Sequence, residues 1–336
     1  MTAKEIRVIL FDLGGVVLES PIKGLMEYGK KMGSIPWNLN KVMGGSQAWK
    51  RLERGEIVVG EYYEELENEI KASGEPVPEE FSPRALLAVV SASLKFRVEM
   101  IDAIHALKRN GYTVAALTNN WKQSEDFETR FHHSGLFSLF HKVFESSQLG
   151  MRKPEARIYR HVLQELQVRP EQTVFLDDMG VNLKAAKQLG INTIKVPYQS
   201  GGVAQALYEL QDILQLSLKT GRLTGNIAES IAQSWIHYWK HMPNDVSKLF
   251  AEDAFYQDPT VPDGLLGMEE ISSHIAVSMR TSFPDTRTIT PTENGFILEW
   301  KNEVKSSSRE VFVIDSNNQI TRYLAIGSLF EPSSKL

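Results

Sequence analysis

The sequence predicts an α/β fold, a parallel sheet covered by helices on both faces, followed by a smaller α+β domain. Three observations carry this reading. Up to about residue 216, short apolar, β-branched runs alternate with helical segments, the pattern of strands buried on both faces. Residues 20–97, between the first two strands, form an insertion too large for a loop and read as a cap. Near residue 217 the pattern changes to helices followed by strands separated by hairpin signals, the order of an α+β unit.

The strands are expected at 6–12 (IRVILFD), 112–118 (YTVAALT), 142–145 (KVFE), 172–177 (QTVFLD) and 193–197. Helices are expected at 98–109, 155–166 and 181–189, and in the cap around 38–54 and 60–72. SLKTGRLTGN, glycine-containing and polar, reads as a linker over 217–226. Beyond it, 226–242 is an amphipathic helix with Ile227, Ile231, Trp235 and Trp239 at four-residue spacing. Short helices follow at 245–250 and 268–282, then strands broken at 293–295 (ENG), 306–308 (SSS) and 315–319 (DSNNQ). With 336 residues there is length for two domains, placed at 1–218 and 225–332.

Composition narrows the function. The net charge of −5, without any basic run, argues against nucleic acid as a partner. The absence of cysteine excludes disulfide and thiolate chemistry and suits a reducing compartment. MTAKEIR runs straight into a strand-like segment without a signal-peptide core, and no apolar run approaches membrane-spanning length. A cytoplasmic protein without a membrane partner is expected.

In an open α/β sheet the chemistry gathers at the carboxyl ends of the strands. Those ends carry Asp12, the pair Thr118–Asn119 and the pair Asp177–Asp178. Lys153, in GMRKPE, precedes a helix with Pro154 in its first turn. Three carboxylates at one edge repel one another unless a cation sits among them. With no His or Cys at ligand spacing nearby, this hard oxygen set points to Mg²⁺.

In this order, FDLGG, LTNN, RKP and FLDD resemble the four motifs of the haloacid dehalogenase superfamily, over roughly residues 5–216. Within it, GYTVAALTNNW, ESSQLGMRKPEARIY and VFLDDMGVNLKAAKQLGINTIKV are similar to the phosphatase domains of soluble epoxide hydrolase and acyl-CoA dehydrogenase family 10, and LERGEIVVGEYYEELE to their cap. The resemblance implies a Rossmann-like parallel sheet with a helical cap and a Mg²⁺-dependent phosphatase. It makes Asp12 the nucleophile that forms an aspartyl-phosphate. The metal ligands would be Asp12, Asp177, Asp178 and the carbonyl of Gly14. Thr118 and Asn119 would bond the phosphoryl oxygens, Lys153 would neutralise charge on phosphate and Asp12, and Asn182 would orient a metal-bound water.

At Gly14 the sequence departs from the family pattern, where a second Asp protonates the leaving oxygen, help worth about 10²–10⁴-fold. Three readings stay open: a degraded phosphatase kept for binding, a substitute acid such as Glu19 or a cap residue, or a leaving group that needs no proton. The last suits a diphosphate, since a phosphate leaving group has a second pKa of about 6. Prenyl or terpenoid diphosphates are one class, and Trp37, Trp49, Phe81 and Phe96 are either an apolar pocket for them or plain cap core.

Residues 226–332 resemble the SnoaL-like, nuclear-transport-factor-2-like (NTF2-like) group, through the Trp-bearing helix, LFAEDAFYQDPTVPDGLLGMEEI, FILEWKNEV and ITRYLAIGSLF. The resemblance implies a curved sheet wrapped on a helix, a cone with an apolar pocket, and a homodimer. Tyr256 and Asp258 alternate to one strand face, pointing into the cone, with a turn role for Asp258 as the rival reading. His237 and His241 lie one helical turn apart, a metal pair or a solvated face; His274 has no assignment. The expected partner is a small phosphate or diphosphate. The alternative function is a catalytically weak phosphate-binding module beside an isomerase, cyclase or dimerisation domain.

Overall fold

The computed structural model describes residues 5–31, 45–73, 81–122, 134–199, 201–216, 225–241, 246, 248–258, 260–277, 286–291, 295–301, 307–314 and 319–326. Trp37, the first part of the cap segment 38–54, most of the 217–226 linker and most of the expected hairpin turns lie outside them, although Ser307 and Ser308 of the expected 306–308 break are paired in a strand. By contacts the chain divides into two units. The first is Met1–Met100, Tyr112–His132 and His141–Gln215; the second is Ile101–Gly111, His133–Phe140 and Leu216–Leu336.

The first unit contains a five-stranded parallel sheet of β1 (Val8–Phe11), β2 (Thr113–Thr118), β3 (Lys142–Glu145), β4 (Thr173–Asp177) and β5 (Asn192–Lys195), in the order β3-β2-β1-β4-β5. All four residues of β1 are buried, as its central place requires. The expected strand positions therefore agree with the observed ones to within two residues.

The insertion after β1 is helical: α1 (Ile22–Lys31), α2 (Gln47–Glu53), α3 (Val59–Ser73) and α4 (Pro83–Ala92). Ser46 caps α2, accepting from Trp49 N at 3.0 Å; Ser82 caps α4 ahead of Pro83. The cap has its own core, which includes Leu52, Tyr62, Leu66, Leu86 and Leu87, and Trp49 and Phe81 pack against it. At its root the outgoing and returning chains are stitched by Glu19 N to Lys95 O (2.6 Å), Arg97 N to Val17 O (2.9 Å) and a Leu18–Phe96 bridge.

Helix α5 (Val98–Arg109) follows, with Met100, Ile101, Ile104 and Leu107 buried. Then come α6 (Ser146–Leu149), α7 (Ala156–Glu165), α8 (Gly180–Gln188) and α9 (Gly202–Leu214). On α7, Ile158, Tyr159, Val162 and Leu163 form one stripe that joins Leu10, Leu117 and Phe175 of the sheet in a common core.

The second unit takes in most of α5 and, among the described residues beyond 216, a six-stranded sheet and two further helices. The elements beyond 216 are α10 (Gly225–His241), β6 (Phe250–Asp258), β7 (Val261–Leu266), α11 (Met268–Val277), β8 (Thr286–Pro291), β9 (Gly295–Lys301), β10 (Ser307–Ile314) and β11 (Ile320–Ile326). The strand order is β7-β6-β11-β10-β9-β8. The expected antiparallel meander is present in β8 to β11, but β11 pairs in parallel with β6.

Trp235 of α10 anchors this core. It is fully buried, its ring meets Phe250, Phe312 and Tyr323, and its Nε1 donates to the buried Glu310 carboxylate at 3.1 Å. Trp235→Ala should cost about 3–5 kcal/mol, because it opens a cavity and removes a donor from a buried acceptor. Urea unfolding followed by far-UV circular dichroism measures this; a loss under about 1 kcal/mol would show that the helix does not depend on this side chain.

Candidate active site

β1 has β2 on one side and β4 on the other, so its carboxyl end is where the connections diverge and a crevice opens. Asp12 stands there, buried, its backbone N–H bonded to Leu176 O at 2.9 Å and its Oδ1 accepting from Leu13 N at 2.7 Å. Lys153 arrives ahead of α7 with its ammonium 1% exposed, 2.7 Å from Asp12 Oδ1, 2.8 Å from Asp177 Oδ2 and 2.9 Å from Leu117 O. Asp12, Asp177 and Asp178 each offer an oxygen to one locus, these atoms lying within 4.8 Å of one another.

Each carboxylate is held by different means. Asp177 accepts from Met179 N at 2.7 Å and from Asn182 Nδ2 at 3.1 Å on both oxygens. Asn182 is fixed in turn by Tyr159, whose hydroxyl donates to its carbonyl at 3.0 Å. Burial pushes the Asp178 carboxyl up to about 6, and the Asp177 charge adds to that, against the pull of Lys153 and Arg97. Burial likewise raises Asp12, opposed by Lys153 and reinforced by Asp177 and Asp178. Burial works against the Lys153 charge, but Asp12 and Asp177 outweigh it, and its pKa rises. Three hard oxygen donors brought this close together repel one another, and they fit a small divalent cation such as Mg²⁺.

The other expected residues fall around this cluster. Thr118 is buried at the end of β2. The Asn119 side chain spans the Lys153 backbone, donating to its carbonyl at 3.0 Å and accepting from its N–H at 2.9 Å. Gly15 takes φ +81°, and a Cβ there would lie 2.2 Å from Asp178 Oδ2, so its backbone rests on that carboxylate. Gly14 lies outside the left-handed region, and the described atom facing its missing side chain is Leu94 Cδ2 at 3.8 Å. The Glu19 side chain is 56% exposed, 3.9 Å from Arg97.

Arg97 had no signal in the sequence. It is buried, donates to Gly15 O at 2.8 Å and contributes positive charge beside Asp178. Its target lies 82 residues away in the chain, and nothing local marks the pair.

In the second unit Tyr256 and Asp258 come together: the Tyr256 hydroxyl donates to Asp258 Oδ2 at 2.7 Å. The turn role is present as well, with Thr260 N and Oγ1 bonding Asp258 Oδ1 at 2.7 and 2.6 Å. His274 joins them, Nε2 3.2 Å from Asp258 Oδ2. Burial opposes the Asp258 charge, but the bonds from His274, Thr260 and Tyr256 prevail and hold its carboxyl well below the usual range. His237 is exposed, and the His241 side chain lies outside the described residues.

Comparison with known proteins follows the first unit. The family model for haloacid dehalogenase-like hydrolases matches residues 6–190, more than half of the chain, which belongs to that family. The chain is similar to bifunctional epoxide hydrolase 2 of Rattus norvegicus, 32% identical over 62% of this chain and 39% of that one. It is similar to acyl-CoA dehydrogenase family member 10 of Mus musculus, 35% identical over 64% of this chain and 20% of that one. A sesquiterpene phosphatase of Aspergillus oryzae is 28% identical over 55% of this chain and 87% of that one. The chain thus matches well under half the length of the first two relatives. No helix among the described residues is long and apolar enough to cross a membrane.

The two glycines give a test of the site. Gly15→Ala places a methyl against Asp178 and should weaken Mg²⁺ binding about 10–100-fold, the usual cost of disturbing a ligand's support. Gly14→Ala has room and should leave Mg²⁺ affinity within about threefold. Titration calorimetry reads both; equal losses would mean that the Gly15–Asp178 contact does not set the site.

Proposed function

We propose that this haloacid dehalogenase-like hydrolase is a Mg²⁺-dependent phosphatase that acts through an aspartyl-phosphate on a small organic phosphate or diphosphate. The observation that carries the reading is the Asp12–Lys153–Asp177 arrangement, with Asp178 alongside, at the switch point of the sheet. Relatives named as phosphatases support it, including the sesquiterpene phosphatase.

In this reading Asp12 attacks phosphorus, the bond to the leaving oxygen breaks, and that oxygen departs with the electron pair. Water then hydrolyses the acyl phosphate and frees Asp12. Asp12, Asp178 and the Gly14 carbonyl, with Asp177 beside them, would hold Mg²⁺, whose charge offsets the repulsion between the carboxylate and the phosphoryl anion. Lys153 supplies a fixed positive charge 2.7 Å from the nucleophile. Thr118 and Asn119 would bond the phosphoryl oxygens, although both ends of the Asn119 side chain are engaged with the Lys153 backbone. Asn182 keeps Asp177 in place.

Gly14 narrows the substrate. An apolar methyl of Leu94 faces the place of the usual second acid. A leaving group that departs as a stable anion needs no proton there, which favours a diphosphate ester, a prenyl or terpenoid diphosphate among them. The same missing acid favours a second reading, a weak phosphate-binding module. Under either reading the second unit is taken as a SnoaL-like domain: a mixed sheet packed on α10 with Tyr256 and Asp258 inside, as isomerase, cyclase or homodimerisation unit.

Asp12→Asn should abolish Mg²⁺-dependent phosphate release in a screen of phosphate and diphosphate metabolites while the protein still folds by far-UV circular dichroism, because the amide is a poor nucleophile. Retention of most of the activity would remove the phosphatase reading.

Leaving-group dependence tests the substrate class. Aryl phosphates and diphosphates should react well, and alkyl phosphates more slowly by about 10²–10⁴-fold. Gly14→Asp, which Leu94 leaves room for, should rescue alkyl phosphates selectively. A flat dependence on leaving-group pKa with a pre-steady-state burst of the released leaving group would show that hydrolysis of the acyl phosphate is the slow step. Without a burst it would indicate a substitute acid. No turnover of any ester by a folded, Mg²⁺-binding protein would favour the binding module.

A further inference from the structure

The cap meets the rest of the first unit through a short stretch, residues 49–55. Trp49 packs edge-on against Trp121, ring centres 5.9 Å apart, and Trp121 joins the apolar cluster of the cap. Glu53 pairs with Arg152 at 2.5 Å, with side chains 8% and 17% exposed. Arg54 donates to Glu155 at 3.1 Å, and Lys122 donates to Gly55 O at 3.1 Å. Gly55 lies so close that a Cβ would fall 2.2 Å from Ser147 O.

The loops on the far side of these contacts carry the site. Trp121 and Lys122 follow Thr118 and Asn119 after one intervening residue, Asn120. Arg152 and Glu155 flank Lys153, whose backbone the Asn119 side chain clasps. Seating the cap and holding the lysine loop therefore use the same few residues. Glu53 is the most committed of them, because it is buried and its partner adjoins Lys153.

We propose that Glu53 is a positioning residue for Lys153: its carboxylate fixes Arg152, and with it the loop that delivers the ammonium to Asp12 and Asp177, so that the competent site forms only beneath a seated cap. This rests on the reading of Lys153 as the charge that serves the nucleophile. Removing one partner of a buried pair strands the other charge, whereas replacing both by apolar groups of similar volume removes the conflict. Seating by a matched pair thus predicts that single substitutions fail and the paired apolar one recovers.

The test compares wild type, Glu53→Gln, Arg152→Met and the double variant Glu53→Met/Arg152→Met by amide hydrogen exchange and by turnover of an aryl phosphate with Mg²⁺. Each single variant should speed exchange in 117–122 and 150–155 by about tenfold or more while β1 and β4 stay protected. kcat should fall by a similar factor, with KM changed less. The double variant should return both to within about threefold of wild type. Where Glu53→Gln does not fold, Arg152→Lys, which keeps the charge and loses the planar fork, takes its place.

A merely structural pair would lower the melting temperature and speed exchange throughout, leaving kcat of the folded enzyme unchanged; that result overturns the proposal. So does a double variant no better than the singles. The exchange arm is independent of catalysis. Coupled exchange without turnover in any variant would refute the phosphatase reading and keep the latch; normal turnover with unaltered exchange would refute the latch alone.

Discussion

The buried ammonium of Lys153 is the interaction on which the first unit depends. It lies between Asp12 and Asp177, at the carboxyl ends of adjacent parallel strands, with Asp178 close by. Carboxylates this near one another, taken out of water, repel and are costly to bury without a cation. One cation with two short ion pairs and a third bond to the Leu117 carbonyl lets β1, β2 and β4 close at that edge. In the proposed reading the same group would offset charge at the nucleophile, so that fold and chemistry would share one constraint. Asn119, clasping the Lys153 backbone, transmits the position of β2 to it.

Much of this was legible in the sequence because it is written in local patterns. The strands are apolar and β-branched, and their ends carry Asp12, Thr118 and Asp177, which the sheet order brings together. The alternation that put Tyr256 and Asp258 on one face is met by their hydrogen bond. What was not legible has no period. Glu53–Arg152, Arg97–Gly15 and Trp235–Glu310 join residues 99, 82 and 75 positions apart, and each member alone reads as an ordinary polar or apolar residue. Of the aromatics listed for an apolar pocket, Trp49 and Phe81 pack into the core of the cap, where burial in a helical insertion accounts for them.

The second unit shows the same division between pattern and partner. The stripe of α10 predicted the buried face, but not the carboxylate of Glu310 beneath it, which accepts from both Trp235 and Tyr323. Tyr323 stacks on Tyr256, ring centres 4.7 Å apart, and Tyr256 leads on to Asp258 and His274. Buried acceptors met by specific donors penalise any slip in register, since a shift of one residue would leave them unsatisfied. That is a structural reason for two acids in an aromatic core, and it holds whatever this unit does.

The adjacent glycines at 14 and 15 separate what the backbone demands from what the chemistry allows. Gly15 is required by geometry: its left-handed φ and its contact with Asp178 both exclude a side chain. Gly14 has neither constraint, with a φ outside the left-handed region and, among the described residues, the Leu94 methyl facing it. The backbone at Gly14 would therefore accept a Cβ, so geometry does not demand glycine there as it does at Gly15. In the proposed phosphatase reading, unless another group supplies the proton, the charge on the leaving oxygen would be borne by the leaving group itself. The substrate's own acidity would then do the work of a second aspartate, which in that reading ties the sequence of one turn to a class of ester.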